Sequence, residues 1–140
     1  MKKTKQILLL TMLLTFSTYS FAQSILDSNN DTVAVVNNGL VINSVGDSVG
    51  EFLTNGQVKN NTGELIGSIE GNQFKNQEGV LIGYLDENNN VYDINGDQIG
   101  KIQSQTIVYD LNNMIIGTST SAIESTKLAA YFFFFFNQVF

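Results

Sequence analysis

The sequence contains no cysteine and no histidine among its 140 residues. Without cysteine, no disulfide can stabilise the fold and no thiolate can bind a metal or attack a substrate. Without histidine, the usual general base and the commonest transition-metal ligand are also missing. We therefore expect a protein that is not an enzyme, and the sequence indicates no catalytic, cofactor-binding or metal-binding residue.

Residues 1–22 have the pattern of a secretory signal peptide. Lys2, Lys3 and Lys5 precede an apolar stretch at residues 7–16, and the small residues Ser20 and Ala22 follow it. An apolar stretch of about 10 residues is shorter than the roughly 20 that a helix needs to span a bilayer. We expect cleavage before Gln23 and a secreted or periplasmic location in a bacterium, with an uncleaved anchor as the alternative.

Positive charge is scarce in the rest of the chain. The first 22 residues hold three of the seven basic residues and none of the 13 acidic ones, so four lysines face 13 acids, a formal charge of −9. A surface of this sign repels a phosphate backbone. Nucleic acid is therefore excluded as a partner, and the remaining residues suit a single domain.

One short pattern is repeated five times through this domain. Each copy ends in a glycine, and seven residues earlier stands an Asn or Asp. The five glycines are Gly50, Gly67, Gly83, Gly100 and Gly117, and the Asx residues are Asn43, Asn60, Asn76, Asp93 and Asp110. Three residues after each Asx stands another glycine, or Asn113 in the last copy. This composition is typical of a type I turn that leads into a left-handed residue, so each copy is predicted to be a β-hairpin.

The apolar positions support the hairpin interpretation. Folding each copy about its turn, with one bulged residue, places apolar residues opposite each other. The predicted facing pairs are Val41 with Val49, Val58 with Ile66, Phe74 with Ile82, Val91 with Ile99, and Val108 with Ile116. Cross-strand pairs of this kind stabilise sheets. A further apolar residue two places after the glycine, such as Phe52 or Ile102, is expected at the contact between copies.

A single copy buries too little apolar surface to offset the entropy of ordering its backbone, so the copies must stabilise one another. Closing five hairpins around an axis protects their edges, whereas an open β-solenoid, the alternative, needs caps. We therefore predict an all-β fold of five β-hairpin repeats in a closed pseudo-five-fold ring at residues 37–119. Residues 23–36 form an N-terminal segment in which residues 23–31 are expected to be mobile and residues 32–36 to form an extra strand.

The repeats resemble the five-fold β-flower proteins, a family of small secreted bacterial proteins. The likeness rests on the element at residues 96–102, Gly-Asp-Gln-Ile-Gly-Lys-Ile, on its four counterparts, and on the segment at residues 127–136. It covers residues 39–136, most of the mature chain. The resemblance implies a pseudo-five-fold ring of hairpins with no established activity, and it implies no catalytic residue.

Residues 120–140 differ from the repeats. Ser121 and Glu124 form a capping-box pattern that predicts a short helix through Tyr131. An unbroken aromatic run follows, made of Phe132, Phe133, Phe134, Phe135 and Phe136. Five exposed phenylalanines would promote aggregation, so we expect the run to be buried against the ring. The alternatives are an interaction surface for a protein partner or for a membrane.

Other candidate sites are weak. Residues 93–97 resemble the start of a calcium loop, but Ser104 stands where such a loop needs a bidentate glutamate, and Asp93 is already explained as a turn residue. Tyr84, Tyr92 and Tyr109 lie at outward-facing positions, where they can pack across strands or stack on a ligand.

The sequence therefore favours a secreted or periplasmic, non-enzymatic module that binds an unknown ligand or builds the envelope. One alternative is a hydrolase that uses an Asp/Glu pair. Another is a peripheral membrane or assembly protein that docks through the Phe-rich tail.

Overall fold

The protein folds as a closed antiparallel barrel of twelve strands, followed by a short C-terminal helix. The computed structural model describes residues 21–136. Nearly all of the predicted signal peptide and the last four residues of the tail lie outside the described residues. The strands are β1 (Gln23–Asp27), β2 (Thr32–Asn37), β3 (Leu40–Asn43), β4 (Ser48–Phe52), β5 (Gln57–Asn60), β6 (Leu65–Glu70), β7 (Gln73–Asn76), β8 (Leu81–Leu85), β9 (Asn90–Asp93), β10 (Gln98–Gln103), β11 (Ile107–Asp110) and β12 (Ile115–Ser119).

The strands form six consecutive hairpins around the barrel. Each strand pairs with its neighbours in the sequence, and β1 also pairs with β12, which closes the ring. Closure is therefore present, but the predicted count of five hairpins is not confirmed. The additional hairpin is β1–β2. Its second strand, β2, is the predicted extra strand. Its first strand, β1, spans Gln23–Asp27, so the expectation that residues 23–31 are mobile is wrong.

The predicted Asx turns are confirmed at all five positions. In each turn, the Oδ1 atom of the Asx side chain accepts backbone N–H bonds from the residues two and four places later; at Asn76 both are 3.0 Å long. The fourth residue of each turn is left-handed, with φ of 78° at Gly79 and 60° at Asn113. The hairpin β1–β2 has the same turn, with Asp27 as the acceptor and Asn30 at φ 66°.

Each hairpin contains the expected bulge, but its register differs by one residue from the predicted facing pairs. Val41 pairs with Gly50 rather than with Val49, and Val108 pairs with Gly117 rather than with Ile116. The apolar residue before each glycine is the extra residue of the bulge. The bulge therefore places the glycine, not the apolar residue, opposite the inward-facing residue of the first strand.

The predicted contacts between copies are confirmed. Phe52 pairs with Val58, Leu85 with Val91, and Ile102 with Val108, each joining the second strand of one hairpin to the first strand of the next. The first-strand residues are the most buried in the barrel. They are Ile25, Val41, Val58, Phe74, Val91 and Val108, and each is at most 1% exposed.

The C-terminal helix differs from the prediction at its start. The helix α1 spans Ser125–Ala129, and Glu124 is its N-cap residue without a side-chain capping bond. The capping box of Ser121 and Glu124 is therefore wrong; instead, Ser119 donates a hydrogen bond from its Oγ to the Ser121 carbonyl, 2.7 Å away. The chain continues without a break as a π-helix, Ala130–Phe135.

Candidate functional site

The interior of the barrel is filled by the protein's own C-terminal helix. Leu128, Ala129 and Ala130 are fully buried, and Phe132 is 2% exposed. The other four phenylalanines of the run are half-buried and pack against the same core. The run therefore lies inside the barrel, as the burial interpretation expects, and would have to leave the barrel to act as an interaction surface.

Each phenylalanine of the run lies against one of the five repeat glycines. The pairs follow one another in reverse order around the barrel. They are Phe132 with Gly117, Phe133 with Gly100, Phe134 with Gly83, Phe135 with Gly67, and Phe136 with Gly50. A methyl group built on any of these glycines would fall 2.1–2.4 Å from a ring carbon. Because ordinary carbon contacts are about 3.5–4.0 Å, only glycine leaves room for the ring at these positions.

The π-helix explains how five successive side chains reach five hairpins. Its hydrogen bonds join residues five apart, as between the N–H of Phe136 and the carbonyl of Tyr131. In an α-helix, residues four apart lie on one face, so Phe132 and Phe136 would point at the same hairpin. In this π-helical segment the two rings instead face different hairpins, β11–β12 and β3–β4.

Tyr131 directly precedes the phenylalanine run, and its ring lies beside the first and the last ring of that run. Its ring centroid is 5.1 Å from that of Phe132 and 6.2 Å from that of Phe136. These two rings contact the hairpins on either side of β1–β2. In this hairpin Ala34 occupies the glycine position, opposite Ile25. The hairpin β1–β2, which carries this alanine, has no repeat glycine, and the five phenylalanines face the other five hairpins.

The sixth hairpin is not apparent from the glycine pattern, because it carries Ala34 in place of the repeat glycine. Asp27 stands 16 residues before Asn43, which is the spacing of the repeat, and Asn30 replaces glycine just as Asn113 does in the last copy. Aligning the copies on the Asx residue instead of on the final glycine would have found it.

The three tyrosines that the sequence analysis assigned to outward-facing positions lie on β8, β9 and β11. Tyr84 and Tyr92 are directly opposite each other on β8 and β9, with ring centroids 5.1 Å apart and planes 13° apart. Lys101 is opposite Tyr109 on β10 and β11, with its Nζ 5.9 Å from the ring centroid. These four residues lie on four consecutive strands, and we call them the tyrosine face.

A polar network borders the tyrosine face. The Tyr92 hydroxyl donates to Asp86 Oδ2 at 3.3 Å, and Asn90 Nδ2 donates to the same oxygen at 2.8 Å. The bond from Asn90 is the main reason that the pKa of the Asp86 carboxyl lies below its usual value. Desolvation, followed by the charge of Asp86, raises the pKa of Tyr92. The network thus widens the pH range over which Asp86 is ionised while Tyr92 is neutral.

Within residues 21–136, no three His, Cys, Asp or Glu side chains lie together as a metal site requires. Asp93 uses its Oδ1 to accept the N–H groups of Asn95 and Asp97, at 2.8 and 3.0 Å. It therefore performs the same turn role as Asn43 does in the first copy.

Two cavities flank the helix α1 at the end of the barrel where the chain enters the interior. Their volumes are about 460 and 410 Å³. Both are lined by Phe52, Leu53, Glu124 and Lys127. The helix itself packs against β10, and the cavities leave open space beside it at the barrel mouth.

The family model for 5-fold beta-flower proteins matches residues 22–137. The chain therefore belongs to the 5-fold β-flower family. No curated protein and no solved structure matches it. In the described part of the chain, the helices are too short or too polar to cross a membrane.

Proposed function

We propose that this protein is a secreted or periplasmic, non-enzymatic module that binds a partner or builds the envelope through its outer surface. The observation that supports this is the filled interior. In small closed barrels with an empty interior, a ligand can bind inside, but here the phenylalanine run occupies that space. While the run is in place, a partner has the ends and the outer face of the barrel available.

The tyrosine face is the strongest candidate for such a surface. At the equivalent junction of β4 and β5, Glu51 is opposite Lys59, an ordinary solvated pair. The junction of β8 and β9 instead presents two aromatic rings. Tyrosine provides apolar contact area together with a hydrogen-bonding hydroxyl, which is why it is enriched in binding surfaces.

A pull-down from envelope extract tests this proposal. The mature protein and a variant with Tyr84→Ala and Tyr109→Ala are compared for retained proteins and glycans. The matched control is Glu51→Ala with Lys59→Ala, which changes outward positions at another junction. We expect the tyrosine variant alone to lose its partner. Equal retention by all three proteins would reject the tyrosine face, and no retention by any would reject the binding function.

We propose that the five-fold repeat predicted from the sequence corresponds to the five glycine–phenylalanine pairs. The barrel has six hairpins, but only five carry the glycine and receive a ring. The hairpin β1–β2 has the same turn but carries Ala34 in the glycine position. In this interpretation, β1–β2 closes the barrel and forms no glycine–phenylalanine pair.

The hydrolase alternative has less support. A general acid needs a carboxyl group with a raised pKa. The carboxyl pKa values that are clearly shifted, those of Asp86 and Glu64, both move downwards. The membrane-docking alternative requires the phenylalanine run to leave the barrel. It predicts that deletion of residues 132–140 releases the protein into the soluble fraction without unfolding it, whereas the packing predicts that this deletion lowers the stability of the barrel and does not change the fraction in which the protein is found.

A further inference from the structure

The C-terminal segment, residues 125–136, occupies the barrel in the way that a bound peptide occupies a receptor. Its five phenylalanine rings meet five glycines, one ring per hairpin. Phe134 stacks on Phe74, with centroids 4.3 Å apart and planes 21° apart, and Phe136 meets Phe52 edge to face at 5.3 Å. All of these contacts are made by side chains of the segment with the wall of the barrel.

Polar bonds attach only the linker to the barrel. Among the described residues, the C-terminal segment makes its hydrogen bonds with itself and with Glu124. The linker, residues 120–124, holds the chain to the barrel mouth. The N–H of Ile123 donates to the Gln105 carbonyl at 3.0 Å, and Gln23 Nε2 donates to the Ala122 carbonyl. Removing the segment would therefore leave every hydrogen bond between the strands intact.

We propose that the barrel interior is a binding site for a peptide containing five consecutive phenylalanines, and that the C-terminal segment of a second copy of this chain is its partner. Exchange of an identical element between two copies creates no new interface and is a low-cost route to assembly. The five-residue linker spans about 17 Å when extended. The open side of the barrel mouth beside α1 gives it a path out.

A cleavable version of the full chain tests the site directly. A protease recognition sequence is inserted between Ser121 and Ala122, which are both exposed, and the folded protein is then cut. The probe is a synthetic peptide of residues 122–140 with an N-terminal fluorophore. We expect the cut protein to take up the peptide saturably. Retention of its own segment with no uptake of the peptide would overturn the proposal.

Matched peptides test whether the rings provide the specificity. A Phe134→Ala peptide should bind at least about 100-fold more weakly, because it loses a buried ring. A Thr126→Ala peptide, changed at a half-buried position that makes no contact with a repeat glycine, should bind within about threefold of the original. Equal binding of the two peptides would overturn the proposal, since the glycine contacts would then not select the ligand.

Two measurements on the unmodified protein do not depend on the insertion. The backbone amides of the π-helix should exchange their hydrogens faster than those in the ladder between β6 and β7. Equal protection would mean that the segment leaves only when the barrel unfolds, and it would overturn the proposal. Isotope-labelled and unlabelled chains refolded together at high concentration should give mixed dimers by native mass spectrometry. Monomers alone at every concentration would overturn the second copy as the partner.

Discussion

Gly117 offers the sharpest test of the ring-on-glycine packing. A methyl group added there would lie 2.1 Å from Cζ and 2.5 Å from Cε1 of Phe132, whereas the nearest backbone atom, the Leu26 carbonyl oxygen, is 3.0 Å away. The φ of Gly117 is not in the left-handed region, so alanine is compatible with the backbone. The cost of Gly117→Ala must therefore come almost entirely from the phenylalanine ring.

The expected magnitude follows from the required movement. To restore an ordinary carbon contact, the ring must move by about 1.4 Å inside a packed barrel. Overpacking of this kind destabilises a core by about 1–3 kcal/mol. We expect the upper half of that range, measured by urea unfolding followed by circular dichroism, with an unchanged m value.

A double-mutant cycle identifies the cause. Phe132→Leu shortens the side chain that meets the new methyl group, so the double variant should be more stable than the sum of the two single effects by at least about 1 kcal/mol. The same cycle at Gly50 and Phe136 should show a smaller rescue, because the carbonyl oxygen of Lys59 lies 2.4 Å from the methyl position and remains there.

The control is Gly63→Asn. Gly63 has a φ of 81° and no atom within 4 Å of its methyl position. Asn30 and Asn113 already occupy the equivalent turn position, so this change should cost less than about 1 kcal/mol. The packing of Phe132 on Gly117 would be contradicted if Gly117→Ala were as stable as the control, or if the effects of Gly117→Ala and Phe132→Leu were simply additive.

Three further predictions concern titration and turns. Burial raises the pKa of Tyr131 above its usual 10.0. The neutral side chain therefore stabilises the fold below pH 10, and this contribution is lost as the pH rises through the raised pKa. The difference between the ultraviolet titration curves of the protein and of Tyr131→Phe should show a tyrosine that ionises above pH 10. The hydrogen bond from Asn60, followed by that from the Thr62 hydroxyl, lowers the pKa of Glu64 below 4.5. The contribution of Glu64 to stability is therefore present above pH 4.5 and is lost as the pH falls through the lowered pKa. NMR titration of the carboxyl group should find a pKa below 4.5, and a higher value would contradict these hydrogen bonds. Asn76→Ala removes the acceptor of two backbone N–H groups and should destabilise by about 1 kcal/mol in urea unfolding, whereas Gln77→Ala, in the same exposed turn, should have no measurable effect.

The turns and the strands could be predicted from the sequence because both depend on local chemistry. The side chain of Asn76 and the left-handed backbone of Gly79 interact within five residues of chain. The alternation of apolar residues also sets which side of a strand is buried. These features need no knowledge of distant parts of the chain.

The register of the bulge could not be predicted in the same way. A sequence pattern that favours apolar pairs matches Val41 to Val49, because both are apolar. In the barrel, Val41 faces Gly50 instead, since the interior must leave space for the ring of Phe136. The choice of the bulged residue therefore depends on a side chain 86 positions away, which no local pattern contains.

The pairing of the phenylalanine run with the glycines also explains why the run has to be nearly homopolymeric. Five hairpins of the same shape offer five equivalent sites, so the helix that fills them presents the same side chain five times. A run of identical residues could slide by one position, and the hairpin β1–β2 works against this. Its Ala34 carries the methyl group that would collide with a ring in the other five sectors, so a shift that brings Phe136 to this sector is disfavoured. This single break in the symmetry of the wall sets the register of the whole run.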